Sequence, residues 1–293
     1  MDKLVLNSYA KLNLYLQVLN KRRDNYHNIK TVFERIGLSD RILLRARPDR
    51  KIKLICKEPL VPKDNTNLCF RAAKLVQESF NIEHGLDIKI IKRIPVGSGL
   101  AGGSSNAAAV LLGLNKLWRL NLSRSALIRL AKNIGSDVPF FVYNTSFAQG
   151  SGRGDRIKVL KVPKSMRLWH ILVVPKIKVS TPFIYKRWDK RPYSKLTIPK
   201  YDVKILLSGL RKNDLSLIGK LLFNSLEEVT LRLYPEVARI KEKLLSLGAK
   251  SILMSGSGPA VFGIVSSRKE AVTLSRKLKK QDGSWRVFVT RTF

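Results

Sequence analysis

The chain has 293 residues, enough for one large or two ordinary domains, and its 56 Lys and Arg against 21 Asp and Glu give a formal charge of +35. A field of that sign draws nucleotides, nucleic acids and acidic lipids alike, so charge alone does not choose a partner. Two cysteines, Cys56 and Cys69, exclude a disulfide framework and read as buried apolar fillers. No apolar run nears the roughly 18 residues of a membrane span and no leader pattern opens the chain, so a cytoplasmic location is expected.

In chain order, alternation and short β-branched runs predict strands at 3–19, 41–47, 51–57 and 86–94, with a helix over 67–80 between the last two. A glycine-rich turn at 97–103 opens a second helix, for which Ser104 or Ser105 is the candidate N-cap. A third helix starts at the capping Ser123 and stops at Gly135. Glycine density rises again at 148–156. The second half reads as strand 167–175, helix 234–248, strands 250–256 and 260–265, helix 268–280 and strand 285–291. Without regular βαβ alternation, the two halves are expected to be α+β. Within the second half, 186–204 interleaves basic residues with Trp188, Tyr193 and Tyr201, which fits a single-strand binding surface or a solvated connection.

The stretch Gly97-Ser-Gly-Leu-Ala-Gly-Gly-Ser-Ser105 is formally Gly-x-Gly-x-x-Gly after a strand. A dinucleotide fold needs an acidic residue about 20 positions on. No Asp or Glu lies between Gly97 and Ser136, and the helix is followed by a helix. The Walker pattern fails as well, because no Gly-Lys-Ser/Thr closes the loop. Two readings remain: a turn whose serines cap a core helix, or a loop whose free amides and helix dipole hold a polyphosphate.

This stretch resembles the second motif of the GHMP kinases, and other segments resemble its companions. "AKLNLYLQVLNKRRDNYH" is similar to the family's opening, "NIGSDVPFF" to its Gly-x-Asp-Val-Pro segment, "GSGRGD" to a glycine stretch ending in an acid, and "MSGSGPAVFGIV" to its third motif. Together they resemble the branch whose acceptor is 4-diphosphocytidyl-2-C-methyl-D-erythritol. The resemblance implies a two-domain GHMP kinase fold: an N-terminal ribosomal S5 domain 2-like domain, 1–154, and a ferredoxin-like C-terminal domain, 155–293, with the site between them.

It also implies roles. Asp137 would take the proton of the acceptor's 2-hydroxyl, and Lys11 would neutralise the transferring phosphoryl of ATP. Asn67, Leu68 and Pro95 would border the nucleotide. The loop Gly97, Ser98, Gly99, Leu100, Ala101, Gly102, Gly103, Ser104 and Ser105 would wrap its phosphates. Asn13, Tyr26, His27 and Tyr185 would hold the acceptor, Tyr26 and Tyr185 by stacking on the two faces of cytosine, His27 by hydrogen bonds to the base edge and Asn13 by bonds to the acceptor's polar groups. Gly256 and Gly258 would shape the cleft from the other domain. Mg²⁺ is expected with ATP, its ligands unknown, because Asn106 stands where the family has Asp. Asn25 and Ala101 each replace a usual glycine, and Asp155 a usual glutamate. The residues alone allow plainer readings: Lys11 as a surface lysine and Asp137 as a helix-end cap. The partners expected are ATP and CDP-methylerythritol, without membrane or nucleic acid, in a monomer or homodimer. The other readings are a GHMP-fold kinase with another small alcohol acceptor, and a basic nucleic-acid-binding protein of the same fold.

Overall fold

A computed structural model describes residues 3–191 and 202–293. Tyr193 and Tyr201, expected to interleave with basic residues, lie outside the described residues.

The chain begins with β1 (Lys3–Lys21), β2 (His27–Arg47), β3 (Ile52–Cys56), α1 (Leu68–Ser79) and β4 (Gly85–Ile91). Three helices follow, α2 (Gly102–Leu117), α3 (Arg124–Ile134) and α4 (Val138–Tyr143), then the hairpin β5 (Phe147–Ser151) and β6 (Arg156–Val159). The second half runs β7 (Trp169–Val174), α5 (Thr181–Asp189), α6 (Val203–Lys212), α7 (Leu215–Lys220), β8 (Phe223–Asn224), α8 (Glu227–Leu233) and α9 (Pro235–Ser246). It ends with β9 (Ser251–Met254), β10 (Val261–Val265), α10 (Arg268–Gln281) and β11 (Arg286–Arg291).

Seven strands form the first sheet, in the order β3-β4-β2-β1-β8 with the β5–β6 hairpin paired to the early part of β2. The second sheet runs β11-β7-β10-β9, which in chain order is 4-1-3-2; with the intervening helices this is the β-α-β-β-α-β ferredoxin-like plan. Strand alternation decides how the layers stack. Leu172 and Val174 of β7 face a core shared with Ala10, Leu12 and Leu14 of β1, whereas Ile171 and Val173 face α9 and α10. The opposite side of the first sheet is covered by α1 to α4. Lys11 and Asn13, out of phase with the leucines of β1, therefore point away from the sheet–sheet core.

One strand segment was not anticipated, and one sequence expectation needs correction. Residues 27–40 are strand although their polar residues break the apolar pattern, because each buried charge has a partner. Glu34 meets His170 and Thr292, Asp40 meets Lys92, and Arg35 lies over the rings of Tyr9 and Phe293. Nor do Ser104 or Ser105 cap α2. The helix begins at Gly102, and Ala101 holds the N-cap position in left-handed conformation at φ 53°, its carbonyl accepting the Ser105 N–H. Ser123 caps α3 as its sequence suggests, and Gly135 follows the last turn in extended conformation.

The last strand stays in the second sheet, but the residues after it return to the first. Thr292 bridges to Ile36, and the Phe293 N–H donates to the Arg35 carbonyl.

Candidate active site

A cleft of about 840 Å³ opens beside β1 and β2, on the side away from the sheet–sheet core, and both glycine turns line it. These turns interlock: the Ala260 N–H donates to the Ser98 carbonyl at 3.1 Å, and the Ser255 hydroxyl to the Gly99 carbonyl at 3.3 Å. Gly99 has φ 77°, and a Cβ there would lie 2.2 Å from the Ser255 carbonyl oxygen. Only glycine permits that approach.

Lys11 reaches the floor of the cleft from β1. Its backbone N–H donates to the Leu100 carbonyl, tying the strand to the loop. Its ammonium donates to Asn13 Oδ1 at 2.5 Å, lies 5.5 Å from the Phe33 ring centre, and stands 3.7 Å from Asp137 Oδ2. The Asn13 amide in turn donates to Thr31 Oγ1 at 2.8 Å, so its carbonyl is aimed at the lysine. Asp137 occupies the N-cap position of α4, yet its side chain makes no capping bond. Its carboxylate is thereby left to the cleft, with the Lys11 cation beside it.

At the other end, Tyr26 is 52% exposed, with the Arg153 guanidinium 5.1 Å from its ring centre. His27 is buried, and Tyr185 stacks on it at 5.0 Å and 26°. Burial, and then the Asp137 charge, push the pKa of the Tyr185 hydroxyl up.

Asn67 caps α1 by accepting the Cys69 N–H, and its amide donates to the Pro62 carbonyl. It still borders the cleft, together with Leu68, Pro95, Gly97, Ser98, Gly99, Ala101, Gly102, Gly103, Ser104 and Gly256. Leu100, Ser105 and Gly258 do not. The Leu100 side chain is in the sheet–sheet core, and the Ser105 hydroxyl accepts from Ser8. Gly258 sits behind the turn, where a Cβ would meet Met254.

The GHMP kinases N terminal domain model matches residues 67–145, and the GHMP kinases C terminal model matches 206–283. The 4-diphosphocytidyl-2-C-methyl-D-erythritol kinase of Geobacillus sp. (strain WCH70) is 47% identical over 263 residues, 90% of this chain and 88% of that protein. The chain belongs to that branch of the GHMP kinase family. The enzyme of the same name from Bacillus cereus (strain B4264) is 45% identical over 265 residues, again 90% of this chain and 88% of that protein. A crystal structure of 4-(cytidine 5'-diphospho)-2C-methyl-D-erythritol kinase superposes with a TM-score of 0.79 at 33% identity, covering 99% of this chain and all of the other. The homoserine kinase of Cytophaga hutchinsonii shares the fold, with a TM-score of 0.73 at 21% identity over 100% of this chain and 95% of that one.

The family comparison leaves the site's other charges to be read from geometry. Lys92, Arg153 and Asp189 line the cleft and were not expected there. Lys92 is held by Asp40, whose carboxylate also accepts the N–H groups of Arg93 and Ile94 and the amide of Asn106. Arg153 had a signal in the sequence, as a cation inside the second glycine stretch. Asp189 had a weaker one: it follows Tyr185 by four residues, one helical turn on the same face.

Proposed function

We propose that this chain transfers the γ-phosphoryl group of ATP to the 2-hydroxyl of 4-diphosphocytidyl-2-C-methyl-D-erythritol, a step of non-mevalonate isoprenoid precursor synthesis. One observation carries the reading: a carboxylate and a buried ammonium 3.7 Å apart share a cleft with a glycine loop at the start of a helix. Phosphoryl transfer asks little covalent chemistry of a protein and much positioning and charge stabilisation. The amides of 97–103 and the N-terminus of α2 hold the triphosphate, with Ser104 beside them and Asn67, Leu68 and Pro95 bordering the nucleoside. Asp137 accepts the proton of the attacking hydroxyl, and Lys11, held by Asn13, offsets charge on the transferring group. Tyr26, His27 and Tyr185 bind the cytosine end.

Mg²⁺ would accompany ATP as counter-charge to the phosphates. The described residues contain no cluster of three metal-ligating side chains, and the Asp40 carboxylate is already engaged by Lys92 and Asn106. The ion therefore fits this cleft as a passenger of the nucleotide, not as a resident of a protein cage. No helix of the described residues is long and apolar enough to cross a membrane.

The test is ATP turnover against a panel of alcohols: the cytidine acceptor, mevalonate and homoserine. Turnover with the cytidine compound alone supports the reading. Turnover with another alcohol replaces the acceptor, and a salt-sensitive gel shift without ATP turnover replaces the enzyme reading altogether.

A further inference from the structure

The histidine at the acceptor end is fixed by a residue that the sequence reading did not single out. Asp189, the last residue of α5, receives His27 Nε2 on Oδ1 at 2.6 Å and Lys21 Nζ on Oδ2 at 2.8 Å. With each carboxylate oxygen engaged by a different partner, the plane of the group is set. The imidazole is clamped as well, by Tyr185 stacked on one face and by Trp188 edge-on at 5.6 Å and 85°. Burial opposes ionisation of Asp189, but hydrogen bonds from Lys21 and His27 outweigh it and hold the carboxyl below the ordinary carboxylate range.

An ionised carboxylate only accepts hydrogen bonds, so Nε2 must carry a proton. In a neutral imidazole the lone pair is then left on Nδ1. That atom has no hydrogen-bond partner among the described residues. Unlike Nδ1 of the sealed His170, it is not closed off from the cleft that His27 lines.

We propose that Asp189 is a positioning residue that locks His27 in the Nε2-protonated tautomer, so that Nδ1 accepts from an exocyclic amino group and the site selects an aminopyrimidine over an oxopyrimidine. This rests on the acceptor assignment made above. A 4-amino group donates to the bare Nδ1, whereas a 4-oxo group in its place sets two lone pairs against each other and leaves both without a donor. The opposite tautomer would present an N–H and reverse the preference. Asp189 therefore acts on specificity without touching the base.

The experiment compares the cytidine acceptor with its uridine counterpart in wild type and in Asp189→Asn. An amide can either accept from or donate to Nε2, so the substitution keeps the shape and releases the tautomer. The variant is expected to raise KM for the cytidine acceptor about tenfold with kcat held within about twofold, and to narrow the cytidine-to-uridine ratio of kcat/KM by about tenfold. An unchanged KM and ratio overturns the proposal. So does a lowered melting temperature with the ratio intact, because Asp189 would then be a staple between α5 and β1. Isotope-edited NMR of the histidine rings in the unliganded wild type, assigned with His27→Asn, reads the tautomer without turnover. A proton on Nδ1 overturns the proposal even where the variant fails to fold. If wild type does not phosphorylate the cytidine acceptor, the functional reading fails, while the ring measurement still decides the tautomer.

Discussion

Lys11 with Asp137 and His170 with Glu34 are two polar pairs joining distant parts of the chain, and they are built in opposite ways. In the first, the side chains are 6% and 29% exposed and stand 3.7 Å apart, beyond hydrogen-bond reach, with Asn13 as the nearer partner of the lysine. In the second, both side chains are fully buried, His170 Nε2 lies 2.9 Å from Glu34 Oε1, and Thr292 donates to the same oxygen at 2.6 Å. The slack pair opens on a cleft; the closed pair pins β2 of the first sheet to β7 of the second and to the C-terminal residues. A charge held loosely beside a cavity is free to meet a new partner. A polar pair sealed on every side has its whole interaction energy committed to the fold.

Removing the carboxylate of the slack pair should give the largest effect, and it should appear in the rate. Asp137→Asn is expected to lower kcat by about a hundredfold to ten-thousandfold, the usual contribution of a positioned proton acceptor. ATP binding and the urea midpoint should be nearly unchanged, because the buried Lys11 ammonium keeps its bond to Asn13 while the Asp137 carboxylate, beyond hydrogen-bond reach and open to the cleft, contributes about 1 kcal/mol or less to folding. A large loss of stability in this variant would break the contrast, since the pair would then be structural.

The closed pair should answer with stability instead. His170→Ala leaves the Glu34 carboxylate buried, with Oε2 already lacking a partner. Breaking a buried pair by removing one member typically costs about 3–5 kcal/mol. Denaturant unfolding should register that loss, while KM for ATP in the folded fraction stays near wild type. Thr292→Val should cost less, about 1–2 kcal/mol, for the Leu168 N–H that it leaves unpaired and for the lost donor to Glu34. Thr292→Ser, which restores the hydroxyl, should recover most of that loss in the same measurement.

The two pairs also differ in how far they could be read from sequence. Lys11 and Asn13 interrupt an apolar strand at alternate positions, and Asp137 precedes Val-Pro-Phe-Phe, so each stands out locally. Their meeting was legible only through the family resemblance. Glu34 was not legible, because its charge broke the pattern by which a strand is recognised, and its partners lie 136 and 258 residues away. The same distance hid Asp189, 162 residues from His27. The glycine turns could be found, since their spacing is local. How they interlock could not, because each turn is shaped by the backbone of the other.

The smallest effect is expected at Ala101, on the loop beside the slack pair, and it tests whether that region stores backbone strain. The described non-glycine residues with positive φ are otherwise asparagines and one arginine, Arg119, which makes an alanine at φ 53° unusual. A left-handed alanine costs about 1–2 kcal/mol from Cβ against the following carbonyl. Replacing it with glycine removes that cost but adds about 0.4–1 kcal/mol of unfolded-state entropy. The first term exceeds the second, so Ala101→Gly should stabilise the chain by about 0.5 kcal/mol, roughly 1–2 °C in thermal midpoint for a chain of this size. Asn25→Gly, at φ 63° in an exposed turn away from the loop, is the control. Asparagine tolerates that region, so its gain should be smaller. If Ala101→Gly raises KM for ATP while stabilising the fold, the strained alanine is holding the phosphate loop in its binding shape. If it raises stability alone, the strain is incidental to the site.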